Sequence, residues 1–127
     1  MNQAIVLDAG ALIAVERRSV QIQELLLAAR AREASVVVPT AVVAQVVREG
    51  GRQANLRRFL ADSYVRFVNL DYPMALDIGA LLGRGGTADV VDACVAICAR
   101  NLGGCPVITS DPADLRKLDP TLPLIVV

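Results

Sequence analysis

Short apolar runs alternate with segments of helical periodicity along almost the whole chain. The first run, Ile5 to Leu7, contains no polar residue, which is typical of a strand buried on both faces of a parallel sheet. Four later segments also have strand character, and the one at 65–70 alternates like an edge strand. We therefore predict five strands, at 5–7, 35–38, 65–70, 106–109 and 124–127.

Between these strands, apolar residues recur at the spacing of one helical face. The predicted helices are 9–17, 20–32, 41–48, 52–61, 72–82, 88–101 and 113–118. Ser19, Thr40 and Thr87 are the predicted N-caps, and Gly83 to Gly86 is predicted as a flexible turn. Strands separated by helical connections predict an α/β fold, with a parallel sheet and helices on both faces.

The chain has 127 residues, so we expect one domain covering residues 1–127. No apolar run approaches the ~18 to 20 residues that cross a bilayer. No basic region precedes an apolar segment at the N-terminus. We therefore expect a soluble, cytoplasmic protein without a membrane partner.

The residue types that are missing or rare exclude several kinds of site. The chain contains no histidine, which excludes His general bases, Ser-His-Asp and Cys-His arrangements, and every zinc site that uses histidine. Three cysteines are too few for a disulfide framework, and we expect buried thiols. The formal net charge is zero, so any polyanion must be bound by a local basic patch.

Acidic residues occupy positions that a parallel sheet would bring together. Asp8 and Asp111 follow two predicted strands, whose carboxyl ends face the same crevice. Asp89 and Asp92 are three residues apart and would share a face of the long predicted helix. Each acid could instead cap a helix or interact with the helix dipole, but this does not explain why Asp92 lies in an otherwise apolar segment. Several carboxylates in one crevice repel each other, and a hard divalent cation would remove that cost.

Four segments of the chain resemble the PIN-domain family and, within it, toxins of the VapC type. The matching segments are IVLDAGALIAV, VVPTAVVAQVVREG, TADVVDACVAICAR and VITSDPADLRKL. The resemblance implies a Rossmann-like three-layer α/β/α sandwich with a central parallel sheet. It also implies a cluster of acids that binds Mg²⁺ or Mn²⁺ and hydrolyses RNA phosphodiester bonds.

The resemblance carries individual roles to particular positions. Asp8, Asp92 and Asp111 match the family's acids, with Asp114 as a less favoured substitute for Asp111. Thr109 and Ser110 match the hydroxyl positions before the last acid, and the resemblance implies a supporting role for both.

One position departs from the family pattern. Gln45 stands where the family usually has a glutamate, and an amide can ligate a metal or orient water but brings no charge and cannot act as a base. Asp89 is the residue we expect to restore a fourth carboxylate, with Glu49 a weaker substitute.

The expected reaction is metal-assisted phosphodiester hydrolysis, with a metal-activated water as the nucleophile. Asp8 and Asp92 are the expected direct ligands, Asp111 and Asp89 complete a second site or orient water, and Gln45 supports them.

RNA is expected to contact the chain mainly through its phosphates. Arg48, Arg52 and Arg17 are the candidate substrate-binding residues, although each could simply lie on a solvated face. With only two Tyr and two Phe, base stacking on the protein is not expected.

A second hypothesis, motivated by Gln45, is an inactive PIN domain that binds RNA or a protein. For a toxin, the resemblance further implies a small cognate antitoxin and a homodimer.

Overall fold

A computed structural model describes residues 3–85 and 89–127 of the chain. Its centre is a five-stranded sheet in the order β3-β2-β1-β4-β5, in which every neighbouring pair is parallel. The strands are β1 (Ala4–Leu7), β2 (Ser35–Pro39), β3 (Val65–Val68), β4 (Val107–Thr109) and β5 (Leu124–Val126). The predicted parallel α/β sheet flanked by helices is confirmed, and β3 is an edge strand as predicted.

Seven α-helices connect or follow these strands in the described residues. They are α1 (Ala9–Glu16), α2 (Val20–Ala31), α3 (Thr40–Val46), α4 (Ala54–Leu60), α5 (Tyr72–Gly85), α6 (Val90–Asn101) and α7 (Pro112–Leu118). A short 3-10 turn, Gly51–Gln53, precedes α4 where we predicted a single helix from residue 52. The described ranges contain no helix that is both long enough and apolar enough to cross a membrane.

At two helix starts the observed N-cap differs from the predicted one. Thr40 is the first residue of α3 rather than its N-cap, which is Pro39, and the Thr40 hydroxyl donates a hydrogen bond of 3.4 Å to the carbonyl of Val68 at the end of β3. Helix α6 begins at Val90, with Asp89 as its N-cap. The predicted cap Thr87 and first helical residue Ala88 lie outside the described residues.

The predicted turn at Gly83 is also wrong, because α5 continues through Gly85. Leu81 is buried, so the apolar face of this helix still packs inward at the point where the glycines begin. This packing offsets the low helix propensity of glycine, which costs about 1 kcal/mol per residue. Gly86, the last residue of the predicted turn, lies outside the described residues.

The core is built around β1 and α6. Val6 and Leu7 are fully buried in the central strand, and every residue of α6 from Ala93 to Ala99 is buried. Helix α6 packs against α3, α5 and α7 and against β1 and β2, so it is central to one layer of the molecule. The three cysteines are free and buried, as predicted, and burial raises the pKa of each thiol.

Candidate active site

Asp8 is placed by the end of the central strand. Its backbone is extended, and its Oδ1 accepts a hydrogen bond of 2.9 Å from the backbone N–H of Ala11, so it caps α1. Only 6% of Asp8 is exposed. Burial raises the pKa of this carboxyl above its usual value, and so does the charge of Asp111, whereas hydrogen bonds from Thr109, Ala11 and Gly10 act in the opposite direction.

The turn after β4 lies directly beside Asp8. Leu7 pairs with Ile108 in the sheet, which brings the next residue of each strand to the same level. Thr109 is fully buried; its side chain hydrogen-bonds the Asp8 carboxyl, and its Oγ1 accepts from the backbone N–H of Asp111 at 3.0 Å. One hydroxyl therefore connects the two acids that follow neighbouring strands.

Asp111 lies at the N-cap position of α7 but does not act as a cap. Its side chain accepts no hydrogen bond from the first turn of that helix. The side chain of Asp111 is exposed, as is that of the preceding Ser110. The alternative that Asp111 serves only as a helix cap is therefore not what the structure shows.

Asp89 and Asp92 come from the start of α6. Asp89 is exposed and its Oδ1 accepts from the backbone N–H of Asp92 at 2.9 Å, which is an ordinary N-cap bond. We expected both acids inside one helix, and for Asp89 this is wrong, because α6 begins one residue later. Asp92 lies in the first turn and is half-buried.

Asp92 has the most unusual electrostatic environment among these acids. Its pKa is raised from 3.8 to about 6, first by burial and then by the negative charges of four acids: Asp89, Asp114, Asp8 and Asp111. Such a concentration of like charges around a half-buried carboxyl favours a bound cation. The structure thus brings Asp8, Asp92 and Asp111 into one electrostatically coupled group.

Asp114 belongs to this group more clearly than the sequence suggested. It lies in the first turn of α7, is half-buried, and raises the pKa of Asp92. The signal that could have found it is its spacing, because Asp111 and Asp114 are three residues apart and a helix places such residues on one face.

The donor set suits a hard cation, although it is not a closed cage. In the residues described, no group of three or more His, Cys, Asp or Glu side chains is close enough to hold a metal ion. Mg²⁺ needs few protein ligands, because it usually retains several waters and binds through one or two carboxylates. The carboxylate chemistry and the excess negative charge therefore fit Mg²⁺ or Mn²⁺.

Gln45 is placed on α3 with an exposed side chain. Within the described part of the chain, the Gln45 side chain makes no hydrogen bond to any of the candidate acids. Glu49 follows the end of α3 and lines a surface cavity together with Glu16, the last residue of α1.

The three candidate arginines are not beside the acids. Arg17 follows the last residue of α1, whose eight residues separate it from Asp8 by about 12 Å along the helix. Arg48 and Arg52 line a cavity with Glu16 at this same end of α1. The Arg48 guanidinium donates to the carbonyls of Ala44 and Val47 at 3.1 and 2.8 Å. Their contact with RNA stays a prediction.

An apolar groove lies elsewhere on the surface, between α2 and α4. Its volume is about 340 Å³, and none of the candidate acids lines it. Leu27, which is 70% exposed, contributes to its lining together with Phe59 and Tyr64. Arg30 lies over the Tyr64 ring at 5.0 Å and forms an exposed ion pair with Asp62 at 3.8 Å.

Solved structures show the same fold. The chain is similar to VapBC2 from Rickettsia felis bound to a DNA fragment from their promoter, with a TM-score of 0.77, 16% identity, and coverage of 98% of this chain and 99% of that chain. It is similar to FitAcB from Neisseria gonorrhoeae, with a TM-score of 0.68, 17% identity, and coverage of 95% of this chain and 96% of that chain. For PAE2754 from Pyrobaculum aerophilum the TM-score is 0.64, with 16% identity and coverage of 98% of this chain and 92% of that chain.

Sequence comparison gives the family directly. No curated protein sequence matches the chain at a significant level. The family model described as PIN domain matches residues 5–119, which is nearly the whole sequence. This chain belongs to the PIN domain family.

Proposed function

We propose that this protein is a Mg²⁺- or Mn²⁺-dependent endoribonuclease and the cytoplasmic toxin of a VapBC-type toxin-antitoxin pair. Family membership and the fold shared with VapBC2 and FitAcB support a nuclease of this kind. The observation that carries the proposal is the environment of Asp92, whose pKa is raised to about 6 by burial and by four surrounding acids. A protein that keeps so many carboxylates together gains most from them when a cation is bound.

Asp8, Asp92 and Asp111 are the residues that would hold the ion, with Asp89 and Asp114 adding negative charge. When bound, such an ion supplies an activated water and neutralises the charge that develops at the phosphate. Thr109 holds Asp8 and the Asp111 backbone in fixed relation through its two hydrogen bonds. The Ala11 N–H fixes the Asp8 carboxylate in the same way. Acids that are held in position need little reorganisation when substrate arrives.

RNA cleavage can be tested with one conservative substitution. Asp8→Asn keeps the size of the side chain and an oxygen for the α1 cap, but it removes one of the charges that would attract the cation. We expect Mg²⁺-dependent cleavage of a single-stranded RNA to be lost in this variant while its circular dichroism spectrum is unchanged. Asp77→Asn, which changes an exposed acid of α5, is the matched control and should cleave like the wild type. Full activity of Asp8→Asn would contradict the proposal.

A second candidate function is an inactive PIN domain that binds RNA or a protein. It is favoured by the uncharged Gln45 and by the lack, among the described residues, of a group of three ligands at metal-binding distance. It predicts that the wild type cleaves no RNA with either metal and that Asp8→Asn binds RNA as the wild type does.

The proposed antitoxin needs a surface on which to bind. We assign to it the groove between α2 and α4, because a mostly apolar lining with Gln23, Arg30 and Asp62 suits a segment of amphipathic protein better than RNA. The R. felis relative was crystallised with DNA from their promoter, and a neighbouring short reading frame with a DNA-binding N-terminus would support this pairing.

The proposed homodimer needs a different surface. Large apolar side chains are exposed along the edge strand β3 and the start of α5: Phe67, Leu70, Tyr72 and Leu76. Tyr72 is 75% and Leu76 57% exposed, and apolar side chains that are exposed one helical turn apart suit an interaction surface. A second copy of the chain that packs here would cover both side chains and the open edge of the sheet.

A further inference from the structure

Gly10, in the first turn of α1, is pressed against Ser110. A β-carbon built at Gly10 would lie 1.9 Å from Ser110 Oγ, 2.9 Å from Ser110 Cβ and 3.0 Å from Ser110 N. Rotation of the Ser110 side chain would relieve only the first of these contacts, because the other two atoms are fixed by the backbone. Any side chain at residue 10 must therefore shift the main chain at residue 110 relative to α1.

The main chain at Ser110 connects the two residues that organise the acids. Thr109, before it, hydrogen-bonds the Asp8 carboxyl and accepts from the backbone N–H of Asp111, after it. The Asp8 N–H also donates to the carbonyl of Ile108 at 3.2 Å. A displacement of Ser110 is therefore transmitted to Asp111, while Asp8 remains fixed by the central strand.

The crowding at Gly10 is not a general property of glycines in these helices. Gly79 and Gly83 in α5 have open space where a β-carbon would be placed. The helical conformation of Gly10 does not require glycine either, since its φ is not positive. What requires glycine at residue 10 is the approach of Ser110.

We propose that Gly10 is a positioning residue for the active site. The missing side chain lets the turn after β4 lie against α1, and this contact sets the position of Asp111 relative to Asp8. The inference rests on the proposed function, because its consequence is the geometry of the carboxylates that would hold the cation.

Gly10→Ala tests the inference, with Gly79→Ala as the matched control. Alanine favours a helix over glycine, so the control should keep or raise the Tm, whereas Gly10→Ala should lower it. Gly10→Ala should also weaken Mn²⁺ binding measured by calorimetry and lower kcat for RNA cleavage about 10- to 100-fold per folded molecule, with a smaller effect on KM. A merely structural role would lower the Tm and leave Mn²⁺ affinity and kcat unchanged.

Ser110→Gly supplies the second half of a double-mutant cycle. It removes two of the three close contacts and leaves only the backbone nitrogen at 3.0 Å. We expect the loss of kcat and of Mn²⁺ affinity caused by Gly10→Ala to be much smaller in the Ser110→Gly background than in the wild type. Equal losses in both backgrounds, or wild-type kcat in Gly10→Ala, would overturn the inference. A wild type that neither binds Mn²⁺ nor cleaves RNA would overturn the proposed function itself.

Discussion

Asp92 lies in the first turn of α6 with four other carboxylates around it. Because its pKa is raised from 3.8 to about 6, the folded protein holds this proton more tightly than the unfolded chain does. The ionised group therefore costs stability that increases as the pH rises from about 4 to about 6 and is constant above that range. This cost is tolerated at a site where charge is useful to function.

Asp92→Asn should therefore stabilise the metal-free protein. Solvent screens a half-buried group in part, so we expect the free energy of unfolding to rise by about 1 kcal/mol at pH 8, and Tm by roughly 3–5 °C. The gain should nearly vanish at pH 4, and Mg²⁺-dependent cleavage should be lost. Thermal unfolding in EDTA at both pH values checks this. A Tm of Asp92→Asn below that of the wild type at pH 8 would contradict the conclusion that the ionised Asp92 costs stability.

The site residues differ in how visible they are in the sequence. Asp8 could be predicted because an acid directly follows an apolar run that only a buried strand explains. The role of Asp89 could not, because one residue decides whether an acid caps a helix or lies within it. The sequence indicates Asp114 only as a substitute for Asp111, because its proximity to Asp92 depends on how α7 packs against α6.

At the scale of elements, an ion pair between the buried Asp119 carboxylate and the exposed Arg100 guanidinium joins the end of α6 to the loop before β5. Asp119 is 6% exposed and accepts from the Arg100 guanidinium at 3.0 and 3.2 Å and from the Thr121 N–H at 2.9 Å. Burial raises the pKa of Asp119, but the bonds from Thr121 and Arg100 outweigh it, so the pKa is lowered overall. This contribution to stability is present above pH about 4 and is lost as the pH falls through the folded pKa.

Asp119→Asn should lower stability at pH 7 by about 1 kcal/mol, because the bonds from Arg100 and Thr121 lose their charged acceptor while the 43% exposed Arg100 is solvated in its place. The difference from the wild type should shrink as the pH falls below about 4. Asp62→Asn is the control, since the Arg30–Asp62 pair is exposed and contributes less. Urea unfolding at pH 7 and pH 3 measures both effects, and equal stability of Asp119→Asn and wild type at pH 7 would refute the role of this pair.

Helices and strands could be predicted from the sequence where the burial of their apolar residues alone determines the secondary structure. Unbroken runs such as Val36 to Val38 require a strand between two helical layers, and all three residues are buried. The C-terminus of α5 was not predictable, because the glycines signal a turn locally whereas the packing of Leu81 keeps the helix intact. Tertiary packing overrides local propensity at such positions.

At the scale of the whole molecule, two apolar surfaces are assigned to two different proposed partners. Helix α2 exposes Leu27 beside the groove to α4, and α5 exposes Leu76. We expect Leu76→Glu to convert a dimer into a monomer, because a carboxylate buried between two copies is costly to desolvate. Leu27→Glu should leave the proposed dimer intact and weaken binding of the proposed antitoxin.

Sedimentation equilibrium of the two variants distinguishes these surfaces, and each variant is the control for the other. A wild type that is monomeric at high micromolar concentration, or a dimer that survives Leu76→Glu, would exclude the assigned interface. Circular dichroism spectra equal to that of the wild type show that either change in assembly is not the result of unfolding.

The central claim is that acids from β1, α6 and the turn after β4 share a divalent cation. Titration of the metal-free protein with Mn²⁺ by calorimetry tests it most directly. The wild type should bind Mn²⁺ with a measurable enthalpy and rise in Tm as Mn²⁺ is added. Asp8→Asn should lose both signals and Asp77→Asn should keep both. A wild type that shows neither heat nor thermal shift at millimolar Mn²⁺ would contradict the account.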